Sequence, residues 1–179
     1  MKDQLIIRRL DGYDAEAYRE FRLRALRRCP TAFTSTFAEE ERKPLAWTAE
    51  RLAAQGRPHD RVLGAFTSAL GLVGAAGLSV PARQQERHNA TLFGMAVERQ
   101  VARRGIGRAL VARVIDHARA VGVLQVTLTV SEGNAPAEQL YRSCGFEVWG
   151  REPRAVIVGG RAIAKLHMAC TLDRARRAP

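Results

Sequence analysis

Two hydrophobic periods alternate along the chain, and their order sketches a fold. LIIRRL (5–10) is an apolar run of strand length. A helical period follows, with Tyr18, Phe21, Ala25 and Leu26 on one stripe; Asp14 is its expected N-cap, and Cys29-Pro30 ends it after Arg28. PTAFTSTFAEEERKP reads as a loop-like segment ending in three glutamates, and a second helical stretch covers roughly residues 45–54. VLGAFT (62–67) and GLVGAAGLSV (71–80) predict paired strands around a turn at 68–71, with Gly74 and Gly77 marking a bulge or a close backbone approach. TLFGMAV (91–97) is the next strand. Ile106, Leu110, Val114, Ala118 and Val121 then recur at steps of three and four, the stripe of a helix. LQVTLTV (124–130) alternates and is rich in β-branched residues, so it predicts a strand. A short helix follows, with Asn134 as cap, Pro136 in the first turn and Gly145 as stop. The rest is strand, folded back at Gly159-Gly160. The sum is a mixed α/β layer with one strand–helix–strand crossover in its second half.

Composition adds boundaries to this sketch. The 179 residues suit a single domain with a full core, and no repeat or linker divides them. At 46% hydrophobic and 26% charged, the chain falls in the ordinary globular class. No run reaches the roughly 18 apolar residues of a membrane span, and MKDQLIIRRLDGYD lacks the apolar core and cleavage site of a signal peptide. No membrane partner is expected. Cys29, Cys144 and Cys170 are an odd number without metal-ligand spacing, which predicts reduced thiols, a cytoplasmic setting and no metal. The formal charge of +11 raises the question of nucleic acid. Only Lys2, Lys43 and Lys165 among 29 basic residues are lysines, and the arginines are strewn along the chain without interleaved aromatics. Nucleic acid is therefore not the expected partner, although a basic binder would declare itself by steep salt dependence.

The sharpest local signal is VARRGIGRAL (101–110), a basic Gly-x-Gly turn running into a helix. Such a turn offers unpaired N–H groups, the positive end of a helix dipole and no Cβ to hold a phosphate away. The same turn can also do no more than close a strand–helix connection. A P-loop reading fails because no Lys-Ser or Lys-Thr follows the glycines. A dinucleotide fingerprint would want a small residue where Leu110 stands and an acid closing the next strand, where Glu132 is loosely placed. Downstream, Asn134 and Tyr141 lie seven residues apart and so share a helix face. A phenol there could give a proton to a leaving group near the sheet, or could simply pack its ring in the core.

Taken together, the block from FGMAVERQVARRGIG to NAPAEQLYRSCGFEVWG closely resembles the central part of the GCN5-related N-acetyltransferases, the acetyl-CoA-dependent GNAT superfamily. The likeness is strong over about residues 91–150, and the earlier strand and helices fit the family order more loosely. It implies a mostly antiparallel central sheet flanked by helices, as one N-acetyltransferase domain over residues 1–173 with a disordered tail at 174–179. It also implies acetyl-CoA as co-substrate, its pyrophosphate held by main-chain amides from Arg103 through Arg104, Gly105, Ile106 and Gly107 to Arg108. The pantetheine arm would pair with Met95, Ala96 and Val97. Asn134 would line the far side of that channel, and Tyr141 would protonate the departing thiolate. One departure stands out: Ala102 occupies the place of the family's Arg or Gln, so Arg103 or Arg104 is expected to supply the cation.

The implied reaction is direct acetyl transfer to the primary amine of a small molecule or peptide, with the oxyanion held by main-chain donors of the fourth strand. A coenzyme-binding sensor without turnover is the alternative. For the base, Glu40 within Glu39–Glu41 is one candidate, since this segment borders the acceptor site in the family; a solvated helix start is the plainer reading. His88, just before the fourth strand, is the other. His117 and His167 are expected to be surface or strand residues. The net positive charge argues against strongly cationic acceptors, and the glutamate cluster argues for a local ammonium site. Homodimers are frequent in the family, so a homodimer is the assembly it suggests.

Overall fold

The computed structural model describes residues 4–54 and 57–172; the expected tail at 174–179 lies outside them. Seven strands form one sheet: β1 (Ile6–Arg9), β2 (Arg61–Thr67), β3 (Gly71–Ser79), β4 (Asn89–Val97), β5 (Gln125–Ser131), β6 (Glu147–Val158) and β7 (Arg161–Thr171). Their order across the sheet is β1-β2-β3-β4-β5-β7-β6. Every pairing is antiparallel except β4–β5, which the crossover helix makes parallel. Five helices accompany it among the described residues: α1 (Ala15–Arg28), α2 (Phe37–Arg42), α3 (Leu45–Ala53), α4 (Ile106–Ala120) and α5 (Ala135–Ser143).

Two cores follow from this layering. Tyr18 and Phe21 of α1 and Leu52 of α3 pack with Val62, Leu72 and Ala75. Ile106, Leu110, Val111 and Val114 of α4 pack with Val73, Ala76, Leu78 and Val126. The β3 strand thus contributes to both cores and is buried from Leu72 to Leu78, which is why its sequence reads as a continuous apolar run. Gly77 serves a close approach, because a Cβ there would sit 2.3 Å from the Phe93 ring.

Two local expectations are corrected. Asp14 does not cap α1 with its side chain. It accepts from Arg8 at 2.7 Å and from the Asp11 amide at 3.0 Å, while Asp11 caps a single 3-10 turn ahead of the helix. The segment before Lys43 is not all loop either: α2 starts there, in line with the helix-start reading of its glutamates, because Thr36 and Glu39 form a reciprocal capping box.

The feature that makes room for a site is the divergence of β4 from β5. Their parallel ladder joins only Asn89, Ala90 and Thr91 to Gln125, Val126 and Thr127. Beyond it, β4 carries a bulge. Gly77 faces Phe93 and Ala75 faces Ala96, so Gly94 and Met95 together oppose one residue of β3. Gly94 sits at φ +63°, a conformation that side chains other than glycine's rarely adopt. From Leu92 onward β4 no longer pairs with β5, and the bulge bends the strand further along. A wedge opens in the middle of the sheet.

Candidate active site

On one side of the wedge lies a cavity of about 770 Å³. Met95, Ala96 and Val97 form its β4 wall, and Asn134 and Tyr141 its α5 wall. Arg103, Gly105, Ile106, Gly107 and Arg108 border it at the turn into α4. Of the coenzyme-binding residues named from the sequence, Arg104 alone does not line it. Ala102 does, so the cations nearest the cavity are Arg103, Arg108 and, from α1, Arg28.

The turn has the geometry that an anion needs. Arg103 at φ +64° and Gly105 at φ +79° both lie in the left-handed region, and α4 begins immediately after them. A Cβ built on Gly105 meets nothing within 4 Å, so the space beside that amide is open. The first helical N–H groups have no carbonyl behind them and carry the positive end of the α4 dipole. The Asn134 side chain caps α5 by accepting from the Ala137 amide at 3.4 Å. These groups suit a pyrophosphate followed by an amide-bearing arm along the free edge of β4.

Tyr141 is 6% exposed, and its ring meets Phe146 edge-on with centroids 5.9 Å apart. Burial pushes its phenol well above the usual range, with a smaller contribution from Cys144. It therefore keeps its proton at any neutral pH. Tyr141 also lines a second cavity, of about 590 Å³, on the β5–β7 side of the wedge. Ala32, Phe33, Met95 and Tyr141 line both, so the two cavities meet there. The segment carrying Ala32 and Phe33 is tied down at both ends, by Ser131 Oγ donating to the Thr31 carbonyl and by Lys165 Nζ donating to Thr34 Oγ1 at 3.0 Å.

Neither expected base reaches this junction. Glu40 lies against Lys43 at 2.9 Å, in a recess with Tyr18, Arg22 and Trp47, and lines neither cavity. Burial would raise its carboxyl, yet Lys43, with help from Arg22 and Ser35, holds it below the usual range. Glu39 is spent on the α2 cap, and Glu41 is exposed and lines neither cavity. His88 is exposed, and its carbonyl accepts from the Leu124 and Gln125 amides at the closed end of the β4–β5 ladder. What the sequence reading missed is the lining of the second cavity: Arg22, Arg51, Lys165 and His167. His167 Nε2 is 3.1 Å from Glu152, and its ring lies 5.2 Å from that of Trp149.

The end of β4 is fixed to α1 by a buried carboxylate. Glu98 takes Arg24 at 2.9 Å and Arg28 at 2.7 Å, and Arg28 also donates to the Val97 carbonyl. Burial alone would raise the Glu98 carboxyl, but the two guanidiniums hold it below the ordinary value. A lowered folded-state pKa gives stability that is present above the unfolded value of roughly 4.3 and lost as pH falls through the folded one. Glu98→Gln is expected to cost about 2 kcal/mol at pH 7. Urea titrations at pH 7 and pH 3 check this, since the substitution should also shrink the stability difference between the two pH values.

The sheet is thus bent and interrupted, with an open helix-start turn on one side and a buried phenol at the junction of two cavities. Residues 16–146 match the model of the Acetyltransferase (GNAT) family, and the chain belongs to that family. It is 28% identical over 167 residues to the L-amino acid N-acetyltransferase AaaT of Escherichia coli K12, covering 93% of this chain and 97% of that one. Over 57 residues it is 46% identical to a [Ribosomal protein bS18]-alanine N-acetyltransferase of Salmonella typhimurium, a match spanning 32% of this chain and only 38% of that relative. Its fold superposes with a TM-score of 0.77 on yncA, a putative acetyltransferase from Salmonella typhimurium solved with acetyl-CoA, at 24% identity and covering 98% of both chains. No helix among the described residues is long and apolar enough to cross a membrane.

Proposed function

We propose that this protein is an acetyl-CoA-dependent N-acetyltransferase that moves the acetyl group directly to a primary amine. The observation that carries this reading is the meeting of the two cavities at Tyr141 and Met95, which lets a donor enter from one side of the sheet and an acceptor from the other. The turn from Arg103 to Arg108 holds the pyrophosphate, and Met95 to Val97 receive the pantetheine arm. Bound there, acetyl-CoA supplies a thioester carbonyl open to nucleophilic attack. Holding the amine against that carbonyl makes the step effectively unimolecular. Main-chain N–H groups at the β4 bulge stabilise the oxyanion, and Tyr141 delivers a proton to the departing sulfur.

His167, backed by Glu152, lines the acceptor cavity and takes the proton leaving the ammonium, directly or through water. This role replaces those expected of Glu40 and His88. A cytoplasmic setting suits the three free thiols. The relatives act, by name, on amino acids and on a protein alanine, so similarity alone supports amine acetylation without choosing an acceptor.

Two measurements test the reading. Titration calorimetry with acetyl-CoA at moderate salt should give saturable one-site binding, and an amine panel should release free CoA thiol above the rate of thioester hydrolysis. Binding without amine-stimulated release from any acceptor would reject transfer.

A further inference from the structure

The acceptor cavity is lined by cations and by no carboxylate. Arg22, Arg51, Lys165 and His167 face it, and neither Asp nor Glu is among its described lining residues. Arg22 interrupts the apolar stripe of α1, one turn after Tyr18 and one before Ala25. Its guanidinium stacks on Phe33 at 4.5 Å from the centroid, and its Nη1 is buried with no hydrogen-bond partner among the described residues. Lys165 is 6% exposed, and among the described residues its ammonium donates to Thr34 Oγ1 alone. Phe33 and Thr34 are consecutive, so one short segment brings the two cations to the same wall.

Neither cation has a carboxylate within ion-pair distance among the described residues. The nearest acids are engaged elsewhere, Glu40 with Lys43 at 2.9 Å and Glu152 with His167 at 3.1 Å. A buried guanidinium N–H and an ammonium with two unused donors are costly unless an anion meets them. Glu40 and Glu152 act on Arg22 and Lys165 only from beyond ion-pair distance, and no described carboxylate meets either cation directly.

Resting on the transferase reading above, we propose that the acceptor is a small amine carrying a carboxylate beside its amino group, as a free α-amino acid does. Arg22 and Lys165 bind that carboxylate, and the amino group is left to face the thioester at the Tyr141 junction. The arrangement also assists chemistry. Positive charge around the bound acceptor disfavours its ammonium form, so the neutral nucleophile forms more readily. The ammonium proton passes to His167, the nitrogen lone pair forms the N–C bond, and the C–S bond breaks with its electron pair on sulfur, which takes the Tyr141 proton; the second N–H proton, lost as the amide forms, restores the phenol. Polyamines meet repulsion here, and an amine within a peptide chain offers no carboxylate at the required place.

The test compares kcat/KM, read as CoA thiol release at saturating acetyl-CoA, for a panel of L-amino acids, their α-carboxamides and spermidine. Free acids should exceed the matched amides by about tenfold or more, the scale of charge-assisted hydrogen bonds. Arg22→Met and Lys165→Met should each reduce that acid-to-amide ratio at least about fivefold, and Lys165→Arg should retain part of it. Acetyl-CoA affinity in these variants, measured by titration, should stay within about twofold of the parent, which separates lost specificity from misfolding. Amides or spermidine used as well as the acids, or a ratio unmoved in both Met variants, would overturn the proposal while leaving the transferase intact. If acetyl-CoA fails to bind, or no amine stimulates thiol release, the underlying reading falls instead.

Discussion

Replacing Tyr141 with Phe should slow acetyl transfer by about 10²-fold while acetyl-CoA binds within about twofold of its parent affinity. The substitution removes one oxygen from a ring that is otherwise buried against Phe146, so the packing survives. The expected loss sits at the low end of general-acid effects. A thiolate is a tolerable leaving group, thiols ionising near pH 8.5, and the reaction can limp without a donor. The pH profile adds a second signature. Because burial raises the phenol's pKa, the donor stays protonated through mildly alkaline solution, and Tyr141 contributes no fall in rate between pH 7 and pH 9. Single-turnover rates in parent and variant decide the matter. Equal rates would remove Tyr141 from the chemistry and leave it as packing.

Gly105→Asp should abolish measurable acetyl-CoA binding, a loss of at least about 10²-fold, with little change in stability. The position is the N-cap of α4, where a carboxylate ordinarily favours a helix by up to about 1 kcal/mol. Against that stands a strain of about 1–2 kcal/mol for a side chain at φ +79°. The two effects nearly cancel. The coenzyme, by contrast, would meet a fixed negative charge where its pyrophosphate belongs. Gly105→Ala separates the contributions, because its Cβ enters open space and it carries the strain without the charge. Calorimetric titration and thermal melts on both variants give the two readouts. Coenzyme affinity unchanged in the aspartate variant would mean that the phosphates lie elsewhere.

How much of this was legible beforehand depended on sequence distance. The VARRGIGRAL turn, the α4 stripe and the Asn134–Tyr141 face are local patterns, in which a few neighbouring residues decide the geometry, and the folded chain has them where the spacing put them. The α2 helix was also written locally, in Thr36 and Glu39, but a six-residue helix carries too little period to stand out from a polar loop. The second cavity was different. It joins Arg22 on α1 to Lys165 and His167 on β7, and only the sheet order brings them to one place. A faint signal existed. Lys165 and His167 are two residues apart and so share a face of their strand, and Arg22 falls among the apolar positions of α1. Polar residues at core-facing positions were the clue, while Glu40 drew notice from the family's placement of its segment and His88 from its residue type and its place before the fourth strand.

The three-residue ladder between β4 and β5 has a consequence for the molecule as an elastic body. Strands β1 to β4 and strands β5 to β7 form two plates of hydrogen-bonded backbone, hinged along a short seam and bridged by α4. A chain-like ligand laid along the free edge of β4 supplies rungs that the protein itself lacks. On the proposed binding mode, coenzyme occupancy and the stiffness of the whole sheet become a single property, and the apo protein is expected to be the more pliable of the two states.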